Sequence, residues 1–169
     1  TTSGVQNYML GIKDRDYPLY KEVATPAKAD DITNCKNTTN DTTGGSCPKN
    51  ADKGWYITLN NFAKVTAEPT VSSGLVYFPT YKPSSSVNKC SLGDAFICAV
   101  DDECGTNISS KLGANTGTTK NEKCKYVGQG VLSKIVTFAG KIFANIAGQS
   151  NQSKKDLVIL QGATSDVTT

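Results

Sequence analysis

The chain has 169 residues, 37% of them hydrophobic, and carries a net charge of +3 from 18 basic and 15 acidic side chains, with no histidine. That length suits one domain able to bury a core. The scattered lysines and lone arginine, Arg15, exclude the clustered basic surface that nucleic acid requires, and the absence of histidine excludes a Ser-His-Asp triad, a Cys-His pair and any histidine-bound zinc or haem.

In chain order, residues 5–13 predict a first strand, closed by a turn at Asp14-Arg15-Asp16. Tyr17-Pro18-Leu19-Tyr20 offers aromatics that can pack behind it. Residues 30–53 are strongly polar, with almost nothing to bury, and predict a long loop that needs a covalent staple to be ordered. Gly54-Trp55-Tyr56-Ile57-Thr58-Leu59 is a compact strand signal, aromatic and β-branched. Asn60-Asn61 predicts a turn, and residues 64–70 another strand, broken by Pro69.

Ser72-Ser73-Gly74 then leads into a strand over 75–81, in which Pro79 restricts pairing because it has no N–H to donate. A Ser-Pro loop over 82–89 is followed by a strand over 94–101, and a second polar loop fills 105–123. Two apolar runs, 131–138 and 141–147, flank Ala139-Gly140 and predict a tight hairpin. A last strand covers 156–160, and 161–169 is a polar tail. Helical periodicity is scarce: residues 130–147 can be read as an amphipathic helix, but the central glycine and the β-branched content favour the hairpin. The expected fold is therefore all-β, made of antiparallel strands with long disulfide-stapled loops, in one module spanning 1–169. Sandwich and propeller sheets both fit it.

Six cysteines, Cys35, Cys47, Cys90, Cys98, Cys104 and Cys124, occur without any Cys-x-x-Cys pair, which favours disulfides over a zinc site. Sequence leaves their connectivity open. Loop closure alone favours Cys35–Cys47, Cys90–Cys98 and Cys104–Cys124; the first would close a loop of ~13 residues and contribute about 3 kcal/mol. Disulfides imply export to an oxidising compartment, and no apolar run is long enough for a membrane span. The abrupt start at Thr1-Thr2-Ser3 is expected of a mature or cleaved product, or of part of a larger polypeptide.

Three stretches together carry a family resemblance. They are Gly54 to Leu59; Glu68-Pro69-Thr70-Val71-Ser72-Ser73-Gly74-Leu75-Val76-Tyr77-Phe78-Pro79-Thr80-Tyr81 with the following Cys90-Ser91-Leu92-Gly93-Asp94-Ala95-Phe96-Ile97-Cys98-Ala99-Val100-Asp101; and Gly128 to Ala144. In order and spacing they resemble the C-terminal β-propeller of the PilY family, the type IV pilus tip and assembly proteins, over roughly residues 54–160. Gly74-Leu75-Val76-Tyr77 and Ala99-Val100-Asp101 also fit the repeat of quinoprotein-like propellers. The resemblance implies propeller-like blades at the C-terminal end of a larger protein. It implies a non-enzymatic, pilus-associated role in assembly and adhesion, at the cell surface after export through the periplasm. Pilins, minor pilins or an external surface would be the partners. The alternative is a structural subunit or coat component of an extracellular filament, self-associating through exposed strand edges.

The departures bear on cofactors. The chain has no Asp-x-Asp-x-Asp loop of the kind that holds calcium in family members, and Cys104 stands where threonine usually precedes the glycine. Calcium remains the one candidate cation, for Asp101-Asp102-Glu103 or for Asn37, Asn40 and Asp41, although neither group has the spacing of a calcium loop. No catalytic, cofactor-binding or metal residue is assigned. The triplets beginning at Asn37, Asn40, Asn107 and Asn151 match the glycosylation acceptor pattern and mark exposed loops. Trp55, Tyr56, Tyr77, Phe78 and Tyr81 are expected to pack in the core before they serve any binding face.

Overall fold

A computed structural model describes residues 6–12, 35–39, 47–49, 52–59, 62–84, 91–106, 123–148 and 157–162. The turn at 14–16, the aromatics at 17–20, Asn60-Asn61, Cys90, most of the 105–123 loop and the end of the tail lie outside them. Among the described residues all twelve elements are strands: β1 (Asn7–Ile12), β2 (Lys36–Asn37), β3 (Gly54–Leu59), β4 (Lys64–Val65), β5 (Thr70–Ser72), β6 (Leu75–Lys82), β7 (Asp94–Asp101), β8 (Cys124–Gln129), β9 (Val131–Leu132), β10 (Val136–Phe138), β11 (Lys141–Ala147) and β12 (Leu157–Gln161).

The strands form three sheets. The first has the order β1-β3-β2, the second β4-β6-β7-β8 with β5 also on β6, and the third β10-β11-β12 with β9 also on β11. Every pairing is antiparallel except the short β2–β3 ladder.

The second sheet is the middle layer. Leu75 and Tyr77 of β6, with Ala95, Ile97 and Ala99 of β7, meet Leu132, Ile135, Ile142, Ala144 and Ile146 of the third sheet. From the other face Val76, Phe78, Cys98 and Val100 meet Trp55, Ile57 and Leu59 of the first. A sheet covered on both faces needs apolar side chains in both registers, so β6 and β7 read as continuous apolar runs. Outer strands need only one, and β3 and β11 alternate between buried and accessible positions. Each large side chain buried here contributes roughly 1.5–3 kcal/mol of hydrophobic stabilisation.

Two expectations are refined by the ladders. The strand over 64–70 divides into β4 and β5, which pair with opposite ends of β6. Pro79 falls where that neighbour is interrupted: its carbonyl accepts from Thr66 N–H at 3.1 Å. Its missing donor faces the same gap, so the ladder loses no bond there. The first arm of the 131–147 hairpin divides likewise into β9 and β10. Between the Leu132↔Ile146 and Val136↔Phe143 pairs, residues 133–135 oppose only 144–145, which makes a bulge. Ser133 Oγ accepts from Asn145 N–H, and Ile135 is turned fully into the core.

Both hairpin turns have two residues at positive φ, Ser73 (53°) with Gly74 (72°) and Ala139 (49°) with Gly140 (69°). That matches the right-handed strand twist of a type I′ connection.

The disulfides correct the pairing expected from loop closure. Cys98 bonds Cys124, not Cys90, and Cys47 bonds Cys104, not Cys35; the predicted Cys104–Cys124 bridge is excluded with them. Loop closure weighs only separation along the chain, whereas the fold fixes proximity in space. β7 and β8 place Cys98 directly opposite Cys124. The turn after β7 brings Cys104 back to Cys47, 57 residues away in sequence. Cys35 is half-buried at the start of β2.

Candidate functional site

Three places on the molecule concentrate chemistry. The first is a cleft of about 530 Å³ lined by Gly11, Ile12, Cys47, Pro48, Trp55, Asp102, Glu103 and Cys104. Trp55, itself buried, is part of that lining. The indole N–H donates to the Asp102 carbonyl at 3.0 Å, and a Cβ on Gly11 or Gly105 would overlap the ring. Both glycines are therefore required by close approach, and Gly105 also by its φ of 63°.

Asp101, part of the acidic cluster considered for calcium, is committed to this turn. Its Oδ1 accepts from the backbone N–H groups of Glu103 at 3.0 Å and Cys104 at 2.8 Å. Among the described residues no three acidic, cysteine or histidine side chains converge as a cation site. Asn37 is exposed, and its Oδ1 accepts from Thr39 N–H and Thr39 Oγ1; Asn40, Asp41, Asn107 and Asn151 lie outside the described residues.

The second place is a buried polar knot behind the cleft. Lys123, at the end of the polar run 105–123, is only 7% exposed. Its ammonium donates to the carbonyls of Thr38 and Gly105, the latter at 2.9 Å. Thr38, fully buried, donates its hydroxyl to the same Gly105 carbonyl at 3.0 Å. These bonds tie the first sheet to the turn after β7 through groups that would be costly to bury unpaired. Lys123 is drawn inward because it precedes Cys124 and its own carbonyl accepts from Ala99 N–H. Composition carries no sign of this, since a lysine in a polar run normally points to water.

The third place is the outer face of the third sheet. Antiparallel register puts Val136, Phe143 and Ile159 in one row across β10, β11 and β12, with Phe138 and Leu157 beside it. Val136, Phe138, Leu157 and Ile159 are exposed, and Phe143 is partly so. An antiparallel sheet with one face on the core normally turns polar groups outward. Here the outward row is apolar from edge to edge. The sequence contained one trace of it: Leu157-Val158-Ile159-Leu160 is an uninterrupted apolar run, the pattern of a strand buried on both faces. Among the described residues, β12 pairs with β11 alone. The aromatics singled out from sequence behave differently: Trp55, Tyr77 and Phe78 are buried, as core packing requires, while Tyr56 and Tyr81 are half-buried.

One ion pair links the second and third sheets at the surface. Lys134 Nζ stands 2.6 Å from Glu68 Oε2. The Lys134 ammonium, by hydrogen bond and by charge, holds the Glu68 carboxyl below the ordinary value for glutamate.

Comparison with protein-family models, with curated proteins and with solved structures finds no match. The class of protein is therefore defined by its own features: an all-β, disulfide-bonded stack of antiparallel sheets. The two disulfides among the described residues point to an oxidising extracellular or periplasmic environment. Among the described residues no helix is long and apolar enough to cross a membrane.

Proposed function

We propose that this chain is a non-enzymatic extracellular module that acts by docking other protein surfaces, as part of a type IV pilus-associated assembly of the PilY kind. The observation that carries the reading is the face-to-face stacking of three short antiparallel sheets, the last of which presents an apolar outer face. Stacked, disulfide-stapled sheets of this form suit a propeller-like blade arrangement, in agreement with the sequence resemblance over 54–160. An apolar patch on the outside of a folded domain marks an interaction site. Pilins, minor pilins or an external surface are the partners this reading implies, and export through the periplasm is its route.

The test is binding of the purified full chain to isolated type IV pili, with gold-labelled protein located by electron microscopy. The reading expects saturable binding confined to filament ends. Absence of binding would overturn it. Label along the whole filament would favour the second reading, a coat or structural subunit. Among the described residues β12 is an edge strand, which supports that alternative, because an apolar, uncharged edge strand is a template for strand addition.

A further inference from the structure

We propose that the outer face of the third sheet is a homotypic interface: a second copy of this chain docks the same face upon it, giving a two-fold dimer. The inference rests on reading the sheets as stackable units, as above, and not on the pilus assignment.

Area is the first argument. Phe138 is 74% exposed, Val136 56%, Ile159 53%, Leu157 45% and Val131 44%. Together with the accessible part of Phe143 they offer on the order of 500 Å² of apolar surface, toward the upper end of what a monomer shows. A specific interface removes about 800 Å² per partner, so this patch supplies the larger part of one.

Arrangement is the second. The row Val136, Phe143 and Ile159 runs through the middle; the polar Lys141 and Gln161 pair at one end of the strands, and Asn145 stands beside Leu157 on the other side of the row. An apolar centre with a polar rim is the anatomy of a protein–protein interface. Lys141 lies beside the Ala139-Gly140 turn, and Lys134, exposed in the bulge between β9 and β10, is paired with Glu68 at the edge of the sheet. In a two-fold contact centred on the Phe143 row, both copies' lysines fall at the rim, in water, and like charges do not meet in the centre. The outer face of the first sheet is another surface with exposed apolar side chains among the described residues. It exposes Tyr8 and Ile12 as its large apolar residues, and Tyr8 is engaged edge-to-face with Tyr56. It therefore offers less area, which favours a same-face contact over a head-to-tail one.

Sedimentation velocity of the full chain from micromolar to millimolar concentration tests this. The inference expects a monomer–dimer equilibrium that weakens by about 30-fold or more in Ile159→Glu and in Val136→Lys, both in the central row, the loss typical of a central contact residue. Both side chains point to solvent, so unchanged thermal melts establish that the variants fold. A monomer at every concentration would overturn the proposal, as would a dimer indifferent to both substitutions. Open-ended polymers weakened by Ile12→Lys would overturn it in favour of head-to-tail stacking. Association of this face with pili alone, with the free protein monomeric, would also overturn it while leaving the proposed function standing. A dimer of a protein that ignores pili would do the reverse.

Discussion

The second and third sheets are built from the same kind of strand and meet opposite fates. β6 and β7 are apolar in both registers and are covered on both faces, by Trp55, Ile57 and Leu59 on one side and by Leu132, Ile135 and Ile142 on the other. β12 is apolar in both registers as well, but only Val158 and Leu160 reach the core, while Leu157 and Ile159 face outward. The difference teaches that an apolar run states how much surface a strand must bury and not where the burial comes from. In the second sheet the chain supplies both covers itself. In the third one cover is missing from the described fold, and that asymmetry makes the third sheet the place where a partner gains most.

Substitutions on the two sheets should separate them sharply. Phe78→Ala in the middle layer should cost about 3–5 kcal/mol of stability, because the side chain is fully buried and leaves a cavity. Phe138→Ala on the outer face should change the stability of the monomer by less than about 0.5 kcal/mol. Urea unfolding at low protein concentration checks both, and equal costs would dissolve the distinction.

The disulfides come next in size. Cys98–Cys124 lies within the middle sheet, with Cys98 fully buried, whereas Cys47–Cys104 lines the cleft. Each should contribute about 4 kcal/mol by restricting the unfolded chain. A mild reductant should nevertheless open Cys47–Cys104 first, since exchange requires access to sulfur. Peptide mapping after graded reduction reads the order; earlier loss of Cys98–Cys124 would mean that the middle layer is less closed than described.

A smaller effect sharpens the hairpin of the third sheet. Ala139 holds a φ of 49°, a conformation that glycine and asparagine adopt more readily. Ala139→Asn should stabilise the chain by up to about 1 kcal/mol, seen as a rise in melting temperature. A loss of stability there would contradict the turn.

The smallest effect concerns the exposed link between the two sheets. The Glu68 carboxyl titrates below its ordinary value because of Lys134. Its contribution is thus present above the unfolded-state value and is lost as pH falls through the folded one. Glu68→Gln should flatten the acid limb of the stability profile slightly, and less so in high salt. A profile identical to that of the unmodified chain would mean that the pair contributes nothing.

Much of the fold was legible where local rules suffice. The strand over 54–59 appears as read, those over 75–81 and 94–101 extend at most one residue further, and Ala139-Gly140 forms the expected turn. Interruptions were harder to read. The bulge opposite Asn145 and the division of 64–70 between β4 and β5 depend on which strand lies alongside. Disulfide partners were illegible for the same reason: only the β7–β8 register brings Cys98 and Cys124 together. Lys123 could not be foreseen as buried, because its partners are carbonyls of Thr38 and Gly105 at distant points in the chain. The apolar outer face was half visible in Leu157-Val158-Ile159-Leu160, but which register would be left uncovered is a property of the assembled stack.

Hydrogen exchange on the native full chain, followed amide by amide at low and high protein concentration, tests the contrast between the two sheets most directly. The account predicts that β6 and β7 exchange only through global unfolding at either concentration, while β12 exchanges readily when dilute and gains protection as concentration rises. If β12 is as protected as β7 in dilute protein, or gains nothing from concentration, the third sheet is not an open docking face.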